Sequence, residues 1–153
     1  MQDIFSYRIP ALHPLVVHFP IALSAVVLLV AGLWLLRNRD SLLVWAIWLQ
    51  VLVALSTWAA VSTGDILEEQ SGGVPIVDRF VDLHEELGEY AWYVSMALVL
   101  LLLAAQHVSR RDTGRAGAAV WMRLLVFLVL LAAFALIAWV SHIGGIMVWG
   151  VPV

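Results

Sequence analysis

The chain contains no cysteine and no lysine, and charged residues make up only 12% of it. Without cysteine, disulfides, thiolate metal sites, iron–sulfur ligation and haem attached through thioethers are excluded. The net charge of −3 leaves no basic stripe of the kind that nucleic-acid binding requires. Because a soluble domain carries about 25% charged residues, so little charge indicates that lipid surrounds this protein.

Long apolar runs take the place of charge, and 63% of the residues are hydrophobic. The first run, residues 15–36, would rise about 33 Å as a helix, enough to cross a hydrocarbon core of about 30 Å. Backbone polar groups in hydrocarbon need internal partners, so the runs predict helices. We expect an all-α, integral membrane up-down four-helix bundle in a single domain, 1–153. The predicted helices cover about 14–36, 41–64, 83–107 and 117–142, with an acidic loop at 65–82.

The arginines indicate the direction of the spans. Six of the eight lie in or beside the two links between the first and second and the third and fourth helices, whereas only Arg8 and Arg79 lie on the other side. The positive-inside rule places the arginine-rich links in the cytoplasm. The N and C termini and the acidic loop are therefore expected on the extracytoplasmic side.

Four of the five histidines fall at the predicted outer ends of helices. His13 and His18 lie on the first helix, His84 on the third and His142 on the fourth, while His107 alone lies at the inner side. Ionisable groups at membrane depth are costly and often functional, and neutral imidazole is a common metal ligand. Each histidine taken alone could simply hydrogen-bond a backbone carbonyl or a lipid headgroup. Together they predict haem ligands, with His18 and His84 on diagonal helices as the first choice and His13 as the weakest candidate.

Small residues recur at helical spacing beside these histidines. Stripes of this kind that converge would leave a slot for a flat macrocycle, although close helix packing in membranes uses the same residues. The predicted lining of the slot is Ala22, Ala25, Gly64, Gly88, Ala91, Ala135, Ala138, Gly144 and Gly145.

Two other uses of the same region remain open. A zinc, copper or iron ion could be bound by three of the histidines, namely His18, His84 and His142. Nearby carboxylates could orient the imidazole N–H groups from a second layer, and the candidates are Glu68, Glu69 and Glu85. The remaining alternative is a structural or assembly subunit of a membrane complex that holds no cofactor.

Several motifs resemble those of one known family. They are LHPLVVHFPIAL at 12–23, Thr63-Gly64 followed by Glu68-Glu69, HEELG at 84–88, and HIGGIMVWG at 142–150, where the family commonly has tyrosine in place of Trp149. In this order and over the whole chain they resemble the DUF2231 family of small bacterial membrane proteins. The resemblance implies a four-helix domain of the bacterial inner membrane, sometimes joined to redox modules such as cytochrome c or Rieske-type domains.

The resemblance and the histidines together predict a b-type cytochrome. We expect it to transfer electrons near the periplasmic face through bis-histidine haem b, one or two per chain, as an electron carrier rather than a self-contained enzyme. The single inner histidine argues against a relay across the whole membrane. Expected partners are the lipid bilayer, quinol or a periplasmic cytochrome c, and a larger membrane complex or a homo-oligomer.

Overall fold

The computed structural model describes residues 12–71, 75–111 and 116–150, apart from the side chains of residues 69–71, 111 and 116–119. Its helices are α1 His13–Val16, α2 His18–Arg37, α3 Asp40–Ser71, α4 Pro75–Arg111 and α5 Ala116–Trp149. α1 and α2 together make the first span. This part of the chain thus provides four helices that are long and apolar enough to cross a membrane.

The first span is interrupted at Val17, and proline explains the interruption. Pro14 occupies the start of α1, where its missing N–H costs nothing. Pro20 has no N–H to donate to the carbonyl of Val16, so the regular bonding of the helix cannot continue through this point. Val17 itself keeps the right-handed helical conformation, with φ −61° and ψ −21°. The rings of His13 and His18 point in different directions because five residues turn about 140° around the helix axis.

Left-handed residues end two of the helices. Asn38 follows α2 with φ 49°, and its N–H bonds the carbonyl of Trp34 at 2.9 Å. Gly150 follows α5 with φ 83° and bonds the carbonyl of Ile146 at 2.9 Å. Asparagine and glycine are the residues that tolerate this conformation at a helix end.

The helices on the acidic side are longer than the sequence predicts. Instead of a loop at 65–82, α3 continues to Ser71 and α4 begins at Pro75. The third helix therefore starts a full two turns before residue 83, and α5 runs past residue 142 to Trp149. The acidic residues and the glycine pair resemble a loop locally, but apolar residues continue at helical spacing on both sides of residues 72–74.

The four spans form an up-down bundle. α3 packs on both α2 and α4, and α5 packs on both α4 and α2. Within the described chain no Cα atom of α2 lies within 8 Å of one in α4, and none of α3 lies within 8 Å of one in α5. The first and third spans are therefore diagonal, as the sequence predicted. Large apolar side chains such as Leu29, Trp45 and Leu100 are exposed on the outside of the bundle, where lipid would surround them.

Candidate functional site

His13 extends from α1 onto the neighbouring helix α3. Its Nδ1 lies 2.9 Å from the carbonyl oxygen of Ala60 and 3.3 Å from Oγ1 of Thr63. A carbonyl oxygen only accepts, so Nδ1 carries the proton and Nε2 keeps a lone pair in the neutral ring. The ring also lies against Gly64, where a Cβ would be 3.3 Å from its Cε1. The half-buried ring is thereby fixed in orientation with one nitrogen free to bind.

His84 lies on the diagonal helix α4 and faces inward. Its Nδ1 is buried and has no hydrogen-bond partner within the described part of the chain. The ring packs against Gly144 of α5, where a Cβ would lie 3.0 Å from Cε1, and the carbonyl of Val140 interacts with the ring. A buried nitrogen without a partner is costly, and a bound ligand or an ordered water at this position would satisfy it.

These two imidazoles meet across the bundle. Their ring centroids are 6.1 Å apart and their planes stand at 88° to each other. Since a metal–imidazole bond is about 2.0 Å long and a ring centroid lies about 1.1 Å behind its nitrogen, two imidazoles on opposite sides of one metal have centroids about 6 Å apart. The 6.1 Å separation of His13 and His84 is close to that value, and it also lies within the range of about 4.5–7 Å for an ordinary edge-to-face ring contact. All four spans contribute to the site: the two rings come from the first and third, and the glycines behind them from the second and fourth.

The remaining histidines lie away from this pair. His18 is exposed, and its Nδ1–H donates to the carbonyl oxygen of Pro14 at 2.6 Å. His142 is also exposed and lies beside Trp139, with ring centroids 5.8 Å apart. The structure therefore pairs His84 with His13, the weakest candidate from sequence, and not with His18. In residues 12–71, 75–111 and 116–150, no group of three or more histidines and acids is placed to hold a metal ion, so His18, His84 and His142 do not assemble as a metal triad.

The small residues divide in the same way as the histidines. Gly64 and Gly144 lie against the rings of His13 and His84, and Gly88 packs against Val61. Ala91 is buried, and Ala25 and Gly145 are half-buried. By contrast, Ala22, Ala135 and Ala138 are exposed on the outside of the bundle. Ala22 shares the face of His18, and Ala135 and Ala138 share the face of His142, so each follows its histidine outward. The structure therefore places these three alanines on the surface of the bundle and not between the helices.

The acidic residues lie near the histidine pair but make no hydrogen bond to it among the described side chains. Glu68 is half-buried and Glu85 exposed, and the two are close enough to repel each other. The side chain of Glu69 lies outside the described residues. Asp65, which sequence reasoning did not select, interacts electrostatically with His13. Asp65 directly follows Gly64, a residue of the predicted lining, and this adjacency is the sequence signal that points to it.

One comparison with known proteins gives a match. The family model described as a predicted membrane protein, DUF2231, matches residues 9–153. No curated protein and no solved structure matches the chain significantly.

Proposed function

This chain belongs to the DUF2231 family of predicted membrane proteins and is a multi-pass membrane protein, and we propose that it is a membrane-bound b-type cytochrome. In this proposal His13 and His84 hold one haem b between diagonal helices, and the protein carries electrons near one face of the membrane. The observation that supports it best is the 6.1 Å separation of the two half-buried imidazoles. No other two histidine rings of the described chain lie in contact with each other.

The donor atoms of this pair suit a haem iron. Axial histidines commonly donate Nδ1–H to a backbone carbonyl and bind metal through the other nitrogen, and His13 makes that bond to Ala60. His84 supplies a buried nitrogen that lacks a partner within the described residues. A bound haem would supply one-electron redox chemistry, and His13 and His84 would hold it and tune its potential. The protein would hold the ligands still: Gly64 and Gly144 leave room for the rings, and the Ala60 carbonyl fixes the proton of His13.

The arginines support one orientation of the bundle in the membrane. Arg37, Arg39, Arg110 and Arg123 lie at the end of the bundle opposite to the histidine pair, and the pair lies beside the acidic residues. With the arginine-rich end in the cytoplasm, the histidine pair and residues 12 and 150, where the described chain begins and ends, would face the periplasm of a bacterial inner membrane. Electron exchange would then take place at the periplasmic side.

The acids around the site favour a cationic redox partner. Glu85, at the outer end of α4, lies close enough to interact electrostatically with four other acids of α3 and α4, namely Asp65, Glu68, Asp82 and Glu89. A negative surface next to the electron-transfer site would attract a basic periplasmic carrier such as a soluble cytochrome c. Quinol is the alternative partner on the lipid side, and either reaction could take place within a larger membrane complex.

The absorption spectrum of the purified protein tests the proposal. The protein should be produced with an adequate haem supply, and a pyridine haemochrome assay and elemental analysis should accompany the spectrum. We expect a Soret band and one haem b per chain. Stoichiometric zinc or copper without haem would contradict the cytochrome and favour an ion on the same two histidines. Co-purification with a larger complex, with neither haem nor metal, would favour a structural subunit.

A further inference from the structure

A second polar cluster lies in the core of the bundle, about 15 Å inward from the histidine pair along α3. Ser24 of α2, Gln50 of α3 and Ser95 of α4 are only 7%, 2% and 1% exposed. They line a cavity of about 10 Å³ whose other walls are apolar. Three polar side chains at hydrocarbon depth are costly unless their hydrogen-bonding groups find partners.

Their hydrogen bonds in the described structure leave specific atoms unused. The hydroxyls of Ser24 and Ser95 donate to Ile21 and Ala91 of their own helices at 3.0 and 2.7 Å. Each hydroxyl has then used its hydrogen and retains lone pairs that can accept. Gln50 donates one N–H to the carbonyl of Ser95 at 3.1 Å, which leaves its second N–H and its own carbonyl oxygen for another partner.

We propose that this cavity is a binding site for one water molecule. The cavity volume is that of about one water, which requires about 10–15 Å³ and two to four polar partners. The water would donate to the hydroxyl oxygens of Ser24 and Ser95 and accept the second N–H of Gln50. It would thus connect α2, α3 and α4 in the middle of the membrane.

The surrounding residues favour retention of a single water there. Val27, Val53 and Ile137 form apolar walls between the polar atoms and the outside of the bundle. Buried waters with about three hydrogen bonds are costly to remove from a protein. The site is independent of the histidine pair, so it does not depend on the proposed cytochrome function.

Nuclear magnetic resonance of the full chain in phosphatidylcholine nanodiscs tests this site. The side-chain amide of Gln50 is assigned by its loss in Gln50→Leu, and cross-relaxation with water is then measured on that amide. We expect a cross-peak to water in the wild type and its loss in Ser24→Val, where two methyl groups occupy the place of the water. Ser56→Val is the matched control, because Ser56 makes the same kind of backbone bond but does not line the cavity. It should keep the cross-peak.

Two results would overturn the proposal. One is a resolved Gln50 amide that shows no cross-relaxation with water in the wild type. The other is a cross-peak that persists at full strength in Ser24→Val, because the amide would then contact water elsewhere. If Ser24→Val fails to fold, as judged by its helical circular dichroism, Ser24→Ala serves instead. It removes one acceptor and should weaken the cross-peak, and an unchanged cross-peak would again contradict the site.

Discussion

The imidazole of His84 packs against the backbone of Gly144 so closely that a Cβ there would lie 3.0 Å from Cε1 of the ring. The next residue, Gly145, has open space around the same position, with nothing within 4 Å. These neighbouring glycines therefore provide a matched pair of substitutions. One tests the packing of the site, and the other tests only the effect of alanine in this helix.

Gly144→Ala should displace the ring of His84 and destabilise the protein. Overpacking of this kind costs about 1–3 kcal/mol, more than the gain of up to about 1 kcal/mol that alanine gives over glycine in a helix. Gly145→Ala should be neutral or slightly stabilising. Thermal unfolding in detergent, followed by circular dichroism, measures both. Equal melting temperatures for the two variants would show that Gly144 does not support the histidine.

Arg123 connects the inner ends of two spans. Its side chain is only 7% exposed, and Nη1 donates to the carbonyl of Leu35 at 3.1 Å, near the end of α2. Hydrogen bonds from charged groups contribute about 1.5–3 kcal/mol, so Arg123→Leu should lower the free energy of unfolding by about that amount. Arg110→Leu, at an exposed position, should change it by less than about 0.5 kcal/mol. Denaturant titration of both variants in the same detergent compares them. A loss no larger for Arg123→Leu than for Arg110→Leu would mean that the bond contributes little.

The absence of cysteine makes the membrane orientation measurable by labelling. Single cysteines are introduced by Ser41→Cys at the arginine-rich end and by Asp82→Cys at the acidic end, both at exposed positions. In intact cells whose outer membrane has been permeabilised, a membrane-impermeant maleimide should label Asp82→Cys and leave Ser41→Cys unlabelled. Both should react after lysis. The reverse pattern would invert the bundle and place the histidine pair at the cytoplasmic face.

The sequence was sufficient to predict the spans and their packing order, because long apolar runs in lipid have few structural alternatives. It failed at the acidic ends, where α3 and α4 continue as helices over most of the predicted loop. Local turn signals around residues 72–74 suggested a long loop, but the apolar spacing of residues on both sides supports helix.

The choice among the histidines could not be made from sequence, because each lies near a helix end. His13 precedes Pro14, a proline typical of a first helical turn, so the sequence places His13 at the solvated helix cap and ranks it last. His13 and His18 are five residues apart, which turns their side chains about 140° from each other around the helix axis. In the structure His18 faces outward and bonds the carbonyl of Pro14, and His13 reaches α3. Spacing alone does not give which of the two faces the bundle interior. The same holds for His142, because the rotation of α5 about its own axis decides whether this side chain faces the bundle interior or the outside.

The most direct measurement is haem retention in four single variants, purified side by side with the wild type. His13→Ala and His84→Ala remove the two half-buried rings, and His18→Ala and His142→Ala remove the two exposed ones. We expect the Soret absorbance per protein to be lost in the first two variants and to stay within about 20% of the wild type in the other two, since an exposed histidine contributes little to the fold. Loss of haem in His18→Ala with full retention in His13→Ala would contradict the central claim that His13 and His84 are the ligand pair.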